Sequence, residues 1–201
     1  MHSGHGIALG TVADLWRPSD RMLGVLYDAL LIVSGSALTA LLAQGAIPLP
    51  WTPVPVTGQT LAVLLLGALL GARRAAACMG LYLVEGALGL PVFALGTGGV
   101  AHLLGPTGGY LWGFIPAAWL IGWLSEHGWD RRFSTTVAAM LAGNALIYLF
   151  GLPWLALFVG WDAVLRAGLL PFVPGDLCKL LLAALVLPNI WRWLRRLPPR
   201  P

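Results

Sequence analysis

From Ala29 to Ala72 the chain runs for 44 residues without an Asp, Glu, Lys or Arg, and two more such runs span Gly86 to Ser125 and Phe133 to Trp161. Water-soluble folds do not tolerate uncharged, mostly apolar runs of that length. A bilayer crossing takes about 20 residues of helix, so the spacing predicts a polytopic membrane protein with most of its mass in lipid. Composition agrees: 58% of the 201 residues are apolar and 10% charged, with a mean hydropathy of +0.81. Ordinary soluble domains are about a quarter charged. A soluble enzyme, a disordered chain and a nucleic-acid module are excluded, despite the pI of 9.6.

Charges and turn residues divide the chain into six expected spans, all α-helical. These cover about Met22–Gln44, Thr57–Gly71, Ala75–Leu95, Tyr110–Glu126, Thr135–Leu155 and Pro174–Leu194. The second is short enough to be re-entrant, and Pro153 could kink or split the fifth. With six crossings, ten of the twelve cations fall on one side, Arg17, Arg21, Arg73, Arg74, Arg131, Arg132, Arg192, Arg195, Arg196 and Arg200. Only Arg166 and Lys179 fall on or near the other. Positive charge favours the cytoplasmic side, so both termini are expected there. The layout is then a cytoplasmic segment 1–21, a membrane domain 22–196 and a basic, proline-rich tail 197–201. The first twenty residues do not read as a secretory leader. Trp51, Trp112, Trp154 and Trp161 belong to the outer boundary and Trp16, Trp129, Trp191 and Trp193 to the inner one. Trp119 and Trp123 are expected deeper, as packing residues. Cys78 and Cys178 fall toward opposite sides, which makes a disulfide improbable.

The outward segments hold most of the unusual residues: Ile47 to Thr60, rich in proline, Gly96 to Gly109, with GTGG and GPTGG, and PFVPGDLCK from Pro171 to Lys179. Irregular backbone at membrane depth must be folded into protein or line a polar cavity, so a lidded pocket open to the outside is expected. Asp176 and Lys179, three apart at the start of the last span, share a helix face. Ionisable groups in such a place are costly unless paired or functional. A self-neutralising pair explains their survival, and a polar ligand explains their place beside the loops. Asn144 offers an amide, Glu85 is expected deep in the third span, and Gln59 and Thr57 open the second at the pocket rim. Tyr110 is a candidate wall, whereas His102 reads as a packing histidine. Ala29, Ser36, Ala40 and Ala43 form a small-residue stripe on the first span, suited equally to internal packing and to a partner helix.

No GxxxxGK[ST], HExxH or GxSxG motif is present, so the chain has no P-loop with which to hydrolyse ATP. Matched halves with interrupted helices, common in secondary transporters, are absent too.

Four stretches, PVPVTGQTLAVLLLGALLG (Pro53 to Gly71), LYLVEGALGLPVFALGTGG (Leu81 to Gly99), GPTGGYLWGF (Gly105 to Phe114) and PGDLCK (Pro174 to Lys179), make the chain resemble the BioY family. BioY proteins are the biotin-specific substrate-capture (S) components of prokaryotic energy-coupling factor (ECF) transporters. The resemblance spans roughly Met22 to Leu187. It implies a six-helix S component in the cell membrane that binds biotin from outside, with a transmembrane coupling protein and two ABC-type ATPases as partners. It implies no cofactor, biotin being the transported ligand, and no nucleic acid. It also implies that the first-helix stripe docks on the coupling protein. Some family members act without such partners, so a self-sufficient carrier is the alternative; an intramembrane enzyme using Glu85 and Asp176 lacks any metal or nucleophile motif.

Biotin presents two ureido N–H donors, a carbonyl acceptor, an apolar ring and chain, and a carboxylate. The resemblance places Asp176 as an acceptor and Lys179 as a cation or donor, with Asn144 and Gln59 able to act as either. Gly98, Gly99, Gly108 and Gly109 would bring backbone N–H groups close. Which end of biotin each residue holds is open at this point.

Overall fold

The computed structural model describes residues 10–196; residues 1–9 and the tail 197–201, with Arg200, lie outside the described residues. After a 3-10 turn, Val12–Trp16, come eight helices: α1 Arg21–Gln44, α2 Gln59–Leu70, α3 Ala72–Ala87, the short α4 Val100–Leu103, α5 Gly108–Glu126, α6 Phe133–Val159, the short α7 Val164–Gly168, and α8 Val173–Leu194. The all-α class is as expected. The α1, α6 and α8 helices are long and apolar enough to cross a membrane by themselves.

α5 is the packing hub, lying along α6 on one side and against α2 and α3 on the other. α2 has only 12 residues, about 18 Å of helix at 1.5 Å per residue. It is buried on most of its surface by α1, α5 and α8. An all-apolar helix belongs in such a place. Gly71 alone separates α2 from α3, with φ +85° and ψ 170°, a conformation open to glycine. α5 meets this joint at Gly122, where an added Cβ would lie 2.3 Å from Ala72 N.

The third expected span is too long. α3 stops at Ala87, and the chain folds back so that the Phe93 ring lies over Gly86, where a Cβ would meet Phe93 Cζ at 1.9 Å. Glu85 is therefore in the last turn of α3, not deep within a span, and Ser36 donates to its Oε2 at 2.5 Å. α6 is one continuous helix through Pro153.

The small-residue stripe does not form a free face. Ser36 and Ala43 are fully buried, Ala40 is half-buried and Ala29 is exposed. Ser36 faces α3 through Glu85. Helix rotation, which small residues alone do not reveal, turned most of the stripe inward.

Charged groups gather where α1 and α3 begin and α5 and α8 end. Arg74 bonds Asp14 and Asp28, both at 2.7 Å, and Arg17 bonds Asp28 at 2.9 Å. Burial pushes the Asp14 carboxyl upward, but the Thr11 N–H and Arg74 outweigh it and hold the group below the usual 3.8. Glu126 Oε1 accepts from Ala72 N at 2.8 Å, filling an orphan donor at the start of α3.

Asp130, in a 3-10 turn between α5 and α6, is fully buried. Its Oδ2 accepts from Trp191 Nε1 at 2.5 Å, and its Oδ1 has no hydrogen-bond partner among the described residues. Burial pushes its pKa up to about 6 despite Trp191 and Arg131. A carboxyl raised above its unfolded value of 3.8 stabilises the fold fully below that value, and the contribution fades as pH rises through about 6. Asp130→Asn is thus expected to raise Tm by several degrees at pH 7.5 and by less than half as much at pH 4.5. An equal shift at both pH values would refute the ionisation account.

Candidate functional site

The opposite end of the bundle holds a cavity of about 60 Å³ lined by α2, α5, α6, the start of α8 and the segments before α2 and α5. α8 begins in a Pro-Gly-Asp sequence that suits a first turn, which presents Asp176 and Lys179 on one face. Lys179 Nζ lies 3.2 Å from Asp176 Oδ1 and donates to Thr60 Oγ1 at 2.8 Å. Thr60 also lies 3.5 Å from Asp176 Oδ1, and the Tyr148 hydroxyl donates to Asp176 Oδ2. Side chains of α2, α6 and α8 therefore converge on one ion pair. Asp176 is buried, and Lys179 is 18% exposed at the side chain.

Asn144, on α6 one turn before Tyr148, is 7% exposed, and its Oδ1 has no hydrogen-bond partner among the described residues. Leaving a buried acceptor unpaired costs about 1–3 kcal/mol. Since Asn144 lines the cavity, a ligand N–H arriving there would relieve that cost.

The remaining polar lining is committed to the protein. Gln59 Nε2 donates to Tyr82 Oη at 2.6 Å, its Oε1 accepts from Thr57 at 2.8 Å, and Tyr82 donates to Val92 O. These bonds tie the entry to α2 to the segment after α3. The Tyr110 hydroxyl donates to Gly168 O at 2.8 Å, and its ring meets that of Tyr148 edge to face at 6.2 Å. His102 stacks on Phe93 at 5.1 Å, with ring nitrogens 3.2 and 3.3 Å from the Thr97 and Thr107 hydroxyls. Burial pushes its imidazole pKa downward. Val54, Leu111, Phe114, Ile147 and Phe172 form apolar walls. The roof segment 45–58 is pinned by Thr52, which donates to Ala167 O at 2.7 Å.

Asp176, Lys179, Asn144, Gln59, Thr57 and Tyr110 thus line one cavity, as read from the sequence. Glu85 and the four glycines do not. Gly99 N–H is spent on Gly86 O at 2.6 Å and Gly108 N–H on Gly105 O at 3.0 Å. A Cβ at Gly98 would meet Leu90 O at 2.3 Å, and one at Gly109 the Trp154 Cβ at 2.3 Å. Gly98, Gly108 and Gly109 thus serve close packing, whereas nothing lies within 4 Å of a Cβ at Gly99, whose φ of +93° is the conformation that favours glycine. His102, read as a packing residue, does pack, but it also faces the cavity. Thr60 and Tyr148 were missed. Tyr148 left a signal, four residues after Asn144 on an apolar helix; Thr60 left none, because its role depends on how α2 meets α8.

The BioY family model matches residues 17–196. The biotin transporter BioY of Rhizobium etli is 37% identical over 167 residues, covering 78% of this chain and 89% of the relative. That of Thermotoga maritima is 40% identical over 157 residues, covering 77% and 92%. Among solved structures, the S-component for biotin from an ECF-type ABC transporter superposes with a TM-score of 0.73 at 25% identity, covering 87% of this chain and 95% of the other.

Proposed function

The chain belongs to the BioY family, and from that premise we propose that it is the biotin-capturing S component of an ECF-type transporter. It is a multi-pass protein of a prokaryotic plasma membrane. Six crossings place both termini in the cytoplasm, the membrane domain at 22–196, and the cavity toward the outside. A transmembrane coupling protein and two ABC-type ATPases drive uptake, since the chain has no P-loop of its own. It is a carrier subunit without a cofactor of its own.

The observation that carries the reading is the unpaired, buried Asn144 Oδ1 in the cavity that also holds the Asp176–Lys179 pair. Asn144 accepts a ureido N–H. Lys179 has three N–H donors, two of which go to Thr60 and Asp176; the third serves a carbonyl or carboxylate oxygen. Tyr110, Tyr148 and the apolar walls enclose the ring and chain. Thr57 and Gln59 shape the rim. The cavity is far below the roughly 300–1,000 Å³ of typical small-molecule sites, so entry requires the roof at 45–58 to swing outward and Phe172 to yield.

Purified protein in detergent is expected to bind radiolabelled biotin saturably at submicromolar concentration; no saturable binding in a folded sample would overturn the assignment. Asn144→Leu, similar in volume but lacking the acceptor, is expected to weaken binding about 10–100-fold, one buried hydrogen bond's worth. Desthiobiotin, which keeps the ureido group, should lose as much to this variant as biotin does. Unchanged affinity would move the ureido group elsewhere.

A further inference from the structure

At the end of the bundle opposite the biotin cavity lies a second concavity, a groove of about 640 Å³ between the starts of α1 and α3 and the last turns of α5. Its lining contains three arginines and three carboxylates, Arg17, Arg73 and Arg74 with Asp14, Asp28 and Glu126. Four of the six form a closed network, Asp14–Arg74–Asp28–Arg17, in which charge cancels. Two are left over. Arg73 is exposed and makes no hydrogen bond or ion pair among the described residues. Glu126 spends Oε1 on Ala72 N, and its Oε2 has no partner among the described residues.

Arg73 and Glu126 share the groove without forming an ion pair. A donor fork and a carboxylate oxygen held apart suit a ligand that carries both charges. Beside them on α5, one turn apart, Trp119 and Trp123 are 47% and 43% exposed, not buried packing residues as the sequence suggested. Amphipathic rings facing outward beside charged side chains mark the depth of lipid headgroups. Indole faces also attract ammonium groups. The groove lies within the size range of small-ligand sites.

We propose that this groove binds the headgroup of a zwitterionic phospholipid of the phosphoethanolamine class. The phosphate is held by the Arg73 guanidinium, in the geometry that arginine offers to phosphate, and the ammonium by Glu126 Oε2 and the indole faces. An anionic headgroup without an amine uses Arg73 but meets Glu126 unfavourably. A quaternary choline cannot donate to the carboxylate. The proposal rests on the chain's placement in a bilayer and not on the biotin reading, so either can fail without the other.

The test is native mass spectrometry of the detergent-purified full chain, titrated with short-chain phosphatidylethanolamine, phosphatidylcholine or phosphatidylglycerol. A monodisperse size-exclusion profile serves as the folding control. Phosphatidylethanolamine is expected to bind at least about fivefold tighter than the other two. Glu126→Gln, which keeps an acceptor for Ala72 N, is expected to remove that preference, and Arg73→Gln to weaken all three lipids at least about fivefold, both with an unchanged size-exclusion profile. Soluble O-phosphoethanolamine should compete at millimolar concentration, and inorganic phosphate should not. Equal affinity for the three lipids, an intact preference in Glu126→Gln, undiminished lipid binding in Arg73→Gln, or competition by inorganic phosphate alone would each overturn the proposal. So would an Arg73→Gln protein that retains the lipid but no longer co-purifies with a coupling protein, because the groove would then belong to a protein partner.

Discussion

Lys179→Met is expected to lower biotin affinity about 100-fold, or about 2.7 kcal/mol. The ammonium bridges Thr60 on α2 and Asp176 on α8, and its removal strands a buried carboxylate against an apolar wall. Breaking one half of a buried pair typically costs about 3–5 kcal/mol, because the other charge is left uncompensated. Some of that loss will appear as a lower Tm and not as weaker binding. The double variant Lys179→Met with Asp176→Asn separates the two. It restores neutrality, and the amide still accepts from the Tyr148 hydroxyl that bonds Asp176, so its Tm should recover most of the loss. Its affinity should not recover, since ligand N–H and oxygen atoms would still lack charged partners. Equilibrium binding of radiolabelled biotin and thermal unfolding in the same detergent decide the matter. A double variant that is stable and binds as tightly as the parent would reduce the pair to a helix-positioning device.

The second large effect concerns stability. Gly122→Ala is expected to cost more than about 4 kcal/mol, enough to prevent folded protein from accumulating. Its Cβ would fall 2.3 Å from Ala72 N, 2.4 Å from Gly71 C and 2.6 Å from Ala72 Cα. All three are backbone atoms of the one-residue joint between α2 and α3, and a joint that tight cannot shift without separating both helices from α5. Overpacking against a yielding side chain costs about 1–3 kcal/mol; a backbone neighbour yields less. Gly80→Ala is the control, because nothing lies within 4 Å of a Cβ there. At an open helical site alanine is favoured by about 0.8–1 kcal/mol, so that variant should match or exceed the parent. Fluorescence-detected size exclusion followed by a thermal ramp reads both. Similar profiles for the two variants would mean that α5 does not press on the joint as described.

Parts of the site were legible because they depend on local spacing. Asp176 and Lys179 share a face in any helix that contains them. Asn144 stood out because an amide in an apolar span needs a reason. Glu85 misled for a complementary reason: a carboxylate in an apolar stretch looks deep until the helix is seen to end two residues later, at Ala87. The glycine runs were read for their N–H groups, but close packing decided their use, with Gly109 against Trp154 and Gly98 against Leu90.

Several helices also gave no sign of which side looks inward. α2, α5 and α6 are apolar nearly all round, and in lipid neither face is penalised. That is why Trp119 and Trp123 were assigned to the interior, and why the α1 stripe could be read in either direction.

The membrane class, the α-helical content, the gathering of positive charge toward one end and the Asp176–Lys179 pair follow from the order of residues, since hydropathy, charge spacing and helical periodicity are local quantities. The contributions of Thr60 and Tyr148 to that pair, the end of α3 under Phe93, the burial of Ser36 and Ala43, and the separation of Arg73 from Glu126 were decided by the tertiary structure. Each depends on the rotation and crossing of helices that are distant in sequence, and those are set by interdigitating side chains and close backbone approach, which no single stretch of the chain contains.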